Sequence, residues 1–316
     1  MPKVTETAKP RNKTVAGGLM LLATFFWACN IVAGKTALTG FSTLALAQLR
    51  MAATALIYWI LYVCLRGFPS LRHSRREWLV LLLMAFNGIT LNQIFYIGGL
   101  ARTSVTHAGL IQAIGPVMVL LLAGFLHIET FTLQKIAGMA VCFTGVVVLL
   151  VERPARASAA HWTGDVMMIA AGGVFACYTI LMKEVAHLYD TLTLNALVFG
   201  LGAVLLVPFC ASATVRVAWR QVPGRAWLGL GFMVLFGSLI AYLIFGFALQ
   251  ELAASTVASF SYLQPLMAAV LGVWLLGERI SSSTVVGGAV ILTGVYLTEH
   301  ARGMKRHMRH LATGKM

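Results

Sequence analysis

The stretch GLIQAIGPVMVLLLAGFLHIETFTLQKIAGMAVCFTG, Gly109–Gly145, decides the fold. It reads as an apolar helix interrupted by a central proline, then a short turn with a glutamate, then a second apolar helix punctuated by glycines. Four landmarks of this stretch recur 149 residues later, where Pro116, Glu129, Gly138 and Gly145 are matched by Pro265, Glu278, Gly287 and Gly294. A spacing that four landmarks keep without a gap indicates an internal repeat.

The composition of the chain is that of a membrane protein. Of its 316 residues 59% are hydrophobic and 11% are charged, whereas roughly a quarter of the residues in a soluble domain are charged. Apolar runs of about 20 residues recur, and each is long enough as a helix to cross a hydrocarbon core of roughly 30 Å. We predict an all-α integral membrane protein with ten transmembrane helices, near Val15–Leu38, Leu44–Leu65, Trp78–Leu100, Val105–Leu126, Leu133–Val151, Asp165–Lys183, Leu192–Ala211, Trp227–Leu249, Ala253–Leu276 and Thr284–His300.

The repeat extends over all ten predicted spans. Trp78 and Gly88 match Trp227 and Gly237 in the same register, and further upstream the register shifts by one residue. An odd number of spans inverts the second copy, so two five-helix repeats are predicted around a pseudo-two-fold axis in the membrane plane. The predicted organisation is a cytoplasmic tail at residues 1–14, a first repeat at 15–152, a linker loop at 153–164, a second repeat at 165–300 and a basic cytoplasmic tail at 301–316.

The distribution of basic residues predicts the orientation of the chain. Lysines and arginines concentrate in both tails and in the loop after the second span, which share one side of a ten-span protein. The positive-inside rule therefore predicts that both termini lie in the cytoplasm. We expect a multi-pass protein of the cell (inner) membrane. The loop with Arg216, Arg220 and Arg225 falls on the other side and is the exception.

Several motifs resemble those of EamA-type members of the drug/metabolite transporter superfamily. They are FFWACNIVAGK at 25–35, AQLR at 47–50 and the block that continues from Leu110. The second copy, SYLQPLMAAVLGVWLLGERISSSTVVGGAVILTGVYL at 261–297, is similar to the LGER form of the family. The likeness covers about Val15 to His300. It implies ten helices in inverted halves and a secondary carrier, most often an exporter of amino acids or related metabolites, but these motifs mark the fold and not the substrate.

Uncharged polar and aromatic residues near mid-span predict a central site. Pro116 and Pro265 each free a carbonyl one turn earlier, at Gln112 and Ser261, and are predicted helix hinges, with a kink that contacts no ligand as the alternative. The predicted substrate-binding residues are Trp27, Asn30, Asn92, Gln93, Tyr96, Gln112, Tyr178, Tyr242, Ser261, Tyr262 and Gln264. The alternative for the amides is a bond to a neighbouring helix, and for the aromatics it is packing.

No charged residue is included among the predicted substrate-binding residues. Every Asp and Glu falls at a span end or in a loop, so no intramembrane acid is present to couple a proton to a cationic drug. We interpret Glu129 and Glu278 as turn residues that pair with Lys135 and Arg279. Arg50 is interpreted first as a structural residue that extends to the lipid headgroups, with a substrate carboxylate as the alternative partner. The predicted cavity is thus aromatic, amide-rich and uncharged.

These patterns predict a secondary transporter that exports small metabolites by alternating access, with amino acids as the leading class and large neutral or aromatic ones favoured. The alternatives are a broad-specificity carrier of drugs or lipophilic cations and a metabolite importer. No GxSxG, HExxH or Walker motif is present, so we predict no enzyme and no cofactor. The five cysteines lack metal-ligand spacing, so no metal site is predicted. The expected partners are a small-molecule substrate and the lipid bilayer, without nucleic acid, and the expected state is a monomer.

Overall fold

The computed structural model describes residues 13–67, 74–126, 132–151, 159–185, 188–252, 257, 260–282, 284–294 and 296–297. All regular structure in these ranges is helical. The helices are α1 Lys13–Ala37, α2 Thr43–Arg66, α3 Arg75–Arg102, α4 Val105–Gln112 with Gly115–Phe125, α5 Leu133–Val151, α6 Ala159–Val185, α7 Thr191–Val215, α8 Gly224–Glu251, α9 Gln264–Leu276 and α10 Thr284–Gly294.

The predicted all-α membrane fold with ten helices is confirmed. Among the described residues, seven helices are long and apolar enough to cross a membrane by their length and composition. Shorter apolar helices stand at the fifth, ninth and tenth positions, over Ile136–Gly145, Gln264–Leu276 and Thr284–Gly294. The predicted spans and the observed helices therefore follow the same order along the chain.

Helix packing has the reciprocity of an inverted repeat. Helix α1 packs against α8 and α9, and its counterpart α6 packs against α3 and α4. The counterparts α2 and α7 contact each other, as do α4 and α9. Contacts that remain the same when the two halves are exchanged are those expected of a two-fold axis. With five spans in each half, this axis lies in the membrane plane.

The contact between α5 and α10 is reciprocal at the level of single residues. A methyl group added at Gly145 would lie 2.7 Å from the Ile291 nitrogen and 2.8 Å from the Gly287 oxygen. One added at Gly294 would collide in the same way with the Cys142 and Gly138 backbones. The glycines that reveal the repeat in the sequence are therefore the points where the backbones of the two helices approach closely.

Helices α4 and α9 are interrupted and restart at their prolines. In α4 the backbone tightens over Ala113 and Ile114, whose N–H groups donate three residues back, to Leu110 and Ile111. In α9 a 3-10 turn, Phe260–Leu263, precedes the helix. Each proline then lies in the first turn of a new helical segment, where its missing N–H removes no intrahelical bond. The hinge roles of Pro116 and Pro265 remain predictions.

Acidic side chains from the second half anchor the start of α4. Glu278 accepts hydrogen bonds from the Val105 and Thr106 N–H groups, at 2.7 and 3.0 Å, and from the Thr106 hydroxyl at 2.8 Å. The interpretation that Glu278 pairs with Arg279 is wrong, because N–H groups that have no partner within the helix and the positive end of the helix dipole attract the carboxylate instead. Nearby, Asp165 accepts from the Thr103 hydroxyl. Glu129 lies outside the described residues.

Candidate functional site

A cavity opens at mid-span between the two halves. Its volume is about 130 Å³, where a single water needs roughly 10–15 Å³ by the same measure, so it has room for a small metabolite. Helices from both repeats line it. The predicted site residues that border it are Trp27, Asn30, Asn92, Gln93, Tyr96, Gln112, Tyr242, Ser261 and Gln264. The fold thus brings together side chains that are up to 237 positions apart in the sequence.

Tyr178, a predicted site residue, is not among the residues that line the cavity, and the two predicted hinge prolines differ in whether they line it. Tyr178 is fully buried behind the wall, with its ring centroid 6.3 Å from that of Tyr242. The side chain of Tyr262 lies outside the described part of the chain. Pro116 borders the cavity, whereas Pro265 is buried against Gly109. The two prolines therefore do not face each other across the cavity.

The amide side chains form bonds between helices along the cavity wall. Gln264 donates to the Gln112 carbonyl oxygen at 3.0 Å and so joins α9 to α4. Asn92 donates to the Ala171 carbonyl at 3.0 Å and joins α3 to α6, and Asn30 donates to the Tyr96 hydroxyl at 2.9 Å. Buried amides require such partners. Each of these residues therefore holds neighbouring helices together and also presents its side chain to the cavity.

Arg50 is a cavity residue, which the sequence interpretation placed elsewhere. It is 3% exposed and borders the cavity, so its side chain does not extend to the headgroups. Its Nε donates to the Ser238 hydroxyl at 2.9 Å and Nη1 donates to the Gln93 carbonyl oxygen at 3.2 Å. The guanidinium carbon is 5.8 Å from the centre of the Tyr96 ring, within cation–π distance.

The prediction of an uncharged cavity is therefore wrong. Among the described lining residues Arg50 supplies a positive charge and no acidic side chain balances it. A signal for this position does exist in the sequence, because Ala47, Arg50, Thr54 and Tyr58 recur at helical spacing. All four are buried, so they form the inward stripe of α2. Because Arg50 lies on this buried face of α2, it faces the interior of the protein and not the lipid.

Aromatic rings form a second part of the wall. Phe175 and Phe245 border the cavity beside the predicted Trp27 and Tyr242. The ring centroids of Trp27 and Phe245 are 5.7 Å apart, and those of Phe175 and Phe245 are 6.0 Å apart. Phe245 is the repeat counterpart of Tyr96, and this equivalence was the signal that could have found it. Thr179 and Met168 also line the cavity without having been predicted.

Matching π-helical segments shape the wall in both halves. They cover Ala85–Leu91 in α3 and Met233–Ile240 in α8, which are equivalent positions in the repeat. Gly88 in the first segment lies against the Tyr178 ring, and Gly237 in the second lies against the Asn30 side chain. Helical segments of this kind frequently occur at functional sites. Asn30 and Tyr178 are thus structural equivalents, although only the smaller side chain reaches the cavity.

Metal and thiol chemistry has no support in the described residues. They contain no group of three or more His, Cys, Asp or Glu side chains that could hold a metal ion. The five cysteines are free. What the cavity offers is a fixed guanidinium, several amides and hydroxyls, and an aromatic surface. These groups can bind a small amphipathic molecule.

Comparison with known proteins gives consistent matches over most of the chain. The EamA-like transporter family matches twice, over residues 15–151 and 162–299. An uncharacterized transporter of Archaeoglobus fulgidus is 31% identical over 285 residues, which cover 89% of this chain and 96% of the relative. A probable terminal-alkyne amino-acid exporter of Streptantibioticus cattleyicolor is 27% identical over 281 residues, covering 88% and 91% of the two chains.

The fold also matches a solved crystal structure. The TM-score is 0.64 at 18% sequence identity, and the match covers 91% of this chain and 98% of the other. At this identity the likeness extends to the fold alone. The two halves described above thus correspond to an architecture already seen by crystallography.

Proposed function

This chain belongs to the EamA-like transporter family, and from that premise we propose that it is a secondary transporter that exports small metabolites, with amino acids as the leading class. We place it in the cell (inner) membrane with both termini in the cytoplasm. The two repeats would move against each other, so that the central cavity opens alternately to the two sides. Large neutral and aromatic amino acids are the favoured substrates.

The observation that carries this proposal is the charge of the cavity. The described lining residues include Arg50 and no acidic side chain. A buried cation attracts a carboxylate, the anionic group that every amino acid carries. The same cation repels lipophilic cations, so the cavity favours amino acids over cationic drugs.

The architecture supports alternating access. Inverted repeats have two conformations of similar energy that face opposite sides of the membrane. The interruptions in α4 and α9 and the π segments in α3 and α8 occur in pairs around the cavity. Paired irregular segments give both halves the same places at which to bend.

One of the two relatives supports the substrate class. The protein from Streptantibioticus cattleyicolor is described as a probable terminal-alkyne amino-acid exporter, and the match covers most of both chains. The aromatic part of the wall, with Trp27, Phe175 and Phe245, favours amino acids with large apolar side chains over small ones. This apolar wall is also what a carrier of hydrophobic drugs would need, so drug efflux is the competing function.

Counterflow in liposomes tests the proposal. The purified protein is reconstituted, the liposomes are loaded with unlabelled amino acid, and uptake of labelled L-phenylalanine, L-leucine and L-alanine is measured against tetraphenylphosphonium. We expect counterflow of the amino acids, strongest for phenylalanine and leucine. A parallel series with an imposed pH gradient identifies proton coupling. Flux of the lipophilic cation without any amino-acid flux would refute the proposal in favour of drug efflux.

A further inference from the structure

We propose that Arg50 binds the carboxylate of the transported solute, and that the aromatic wall of Trp27, Phe175 and Phe245 receives its apolar part. This inference rests on the proposed function in that it concerns the same cavity. It goes further because it assigns the two ends of the solute to two parts of the wall. The arguments come from the charge of Arg50, from how its side chain is held and from its place in the repeat.

The charge of Arg50 has only neutral partners in the described chain. An arginine carries five N–H donors and stays protonated in proteins. Ser238 and Gln93 each accept one hydrogen bond, and no described Asp or Glu forms an ion pair with the guanidinium. A buried charge is costly unless an opposite charge or a full set of hydrogen bonds compensates it. A carboxylate that accepts from the remaining N–H donors would supply both.

Two acidic side chains in the described chain are arranged differently. Asp165 is 4% exposed and accepts from the Thr103 hydroxyl, and the Nδ1 of His107 lies 3.4 Å from its Oδ2. Glu278 likewise has three donors from the start of α4. These acids are compensated within the protein, whereas the positive charge at the cavity is not.

A chain of hydrogen bonds fixes the orientation of the guanidinium. Gln93 in α3 and Ser238 in α8 accept from different nitrogen atoms of Arg50. Gln93 in turn donates to the Asn92 carbonyl oxygen at 3.2 Å, and Asn92 donates to Ala171 in α6. A charged group that is already held in position loses little entropy when a ligand binds. Gln93 and Ser238 are therefore positioning residues, and Arg50 is the residue that contacts the solute.

The repeat shows that the scaffold does not require an arginine at this position. The counterpart of Arg50 in the second half is Val198, which is fully buried in α7. An apolar side chain therefore satisfies the packing between α2 and α7 where no ligand is involved. Since burying an arginine is costly, its presence on one side alone indicates a role in binding.

The aromatic wall supplies the complementary half of the site. Phe245 stands where the first repeat has Tyr96, and Tyr242 stands where it has Gln93. At these positions the second repeat thus gives the cavity a phenyl ring in place of a phenol and a tyrosine ring in place of an amide. A solute with a carboxylate at one end and an apolar group at the other matches this division.

Binding of three probes that differ by one group each tests the assignment. The probes are L-phenylalanine, 3-phenylpropionate, which lacks the ammonium group, and phenethylamine, which lacks the carboxylate. Dissociation constants are measured on the purified full chain by titration calorimetry. We expect both carboxylate probes to bind and phenethylamine to bind at least about 30-fold more weakly, as expected for the loss of a buried charge pair.

Arg50→Gln is expected to weaken both carboxylate probes by at least about 30-fold, and to leave phenethylamine unchanged or bound more tightly, because the variant no longer repels its ammonium group. Arg50→Lys keeps the charge without the planar fork and is expected to recover part of the affinity. The matched control is Arg66→Gln, an exposed arginine on the same helix whose partner Asp190 lies 3.8 Å away; it should change nothing. Unfolding temperatures in detergent identify a variant that fails to fold, in which case the probe series on the wild type decides.

The outcomes separate this inference from the proposed function. Equal binding of all three probes, or carboxylate binding that persists in a folded Arg50→Gln protein, would overturn the inference even if amino acids are transported. Arg50-dependent binding of carboxylates without any amino-acid counterflow would support it while refuting amino-acid export.

Discussion

The two halves of the bundle agree in their backbone and differ in the chemistry that they bring to the cavity. Both have a π segment at the same register and an interrupted helix that restarts at a proline. At equivalent positions, however, Arg50 corresponds to Val198 and Gln93 to Tyr242. The shared features belong to the scaffold and its bending, and the differences belong to the ligand. Positions at which the repeat is broken are therefore the places to look for specificity.

The same substitution at two equivalent glycines would give the largest difference between the halves. Gly88→Ala pushes into the ring of Tyr178, which is fully buried, whereas Gly237→Ala pushes against the Asn30 side chain at the cavity. Overpacking costs about 1–3 kcal/mol, and the gain in helix propensity offsets up to about 1 kcal/mol of this. We expect Gly88→Ala to lower the unfolding temperature more, and Gly237→Ala to lower the transport rate more.

Scanning fluorimetry of the detergent-solubilised protein and counterflow in liposomes measure the two effects. Gly18→Ala is the control, because no atom lies within 4 Å of the added methyl group. If both variants lose stability and transport in the same proportion, the halves respond alike, and the distinction between scaffold and site is lost at these positions.

The sequence predicts the helices and their paired interruptions more completely than it predicts which side chains line the cavity. The constant spacing of Pro116 and Pro265 located the paired interruptions, because glycine and proline patterns report on local backbone geometry. Arg50 was misplaced because its depth in α2 was considered without the direction in which that helix faces. Tyr178 was grouped with Asn30 through the repeat, but its larger ring packs behind the wall. The π segments depend on contacts between helices that are distant in the sequence, so no local sequence pattern predicts them.

Removal of the Ser238 hydroxyl tests how the second half supports a group of the first half. Ser238→Ala deletes the acceptor of the Arg50 Nε–H and leaves Gln93 as a partner. The guanidinium is then held by one hydrogen bond less, and ordering such a side chain on binding costs about 0.5–1.5 kcal/mol, so we expect the dissociation constant of 3-phenylpropionate to rise up to about tenfold. Phenethylamine should bind as before.

Thr144→Ala is the matched control for Ser238→Ala. The Thr144 hydroxyl donates to a carbonyl of its own helix, at Ala140, and the residue is exposed. Carboxylate binding that is as strong in Ser238→Ala as in this control would mean that the first half orients Arg50 without help from α8.

The smallest expected effect comes from making the first half resemble the second at one ring. Tyr96→Phe copies the residue found at the equivalent position 245 and keeps the ring beneath Arg50. It removes the acceptor for the Asn30 amide, which is 4% exposed. Losing one neutral hydrogen bond is worth about 1 kcal/mol, so we expect roughly fivefold weaker binding of L-phenylalanine with its preference over phenethylamine retained.

Tyr62→Phe, a change of the same kind on α2 at a position that does not line the cavity, is the control for this variant. The size of the effect distinguishes two roles for Tyr96. If its hydroxyl only holds Asn30, the carboxylate preference persists, because Arg50 and its partners in α3 and α8 are untouched. If Tyr96→Phe removes that preference, the hydroxyl contacts the carboxylate itself. The polar side of the cavity would then extend beyond Arg50 to the ring that packs beneath it.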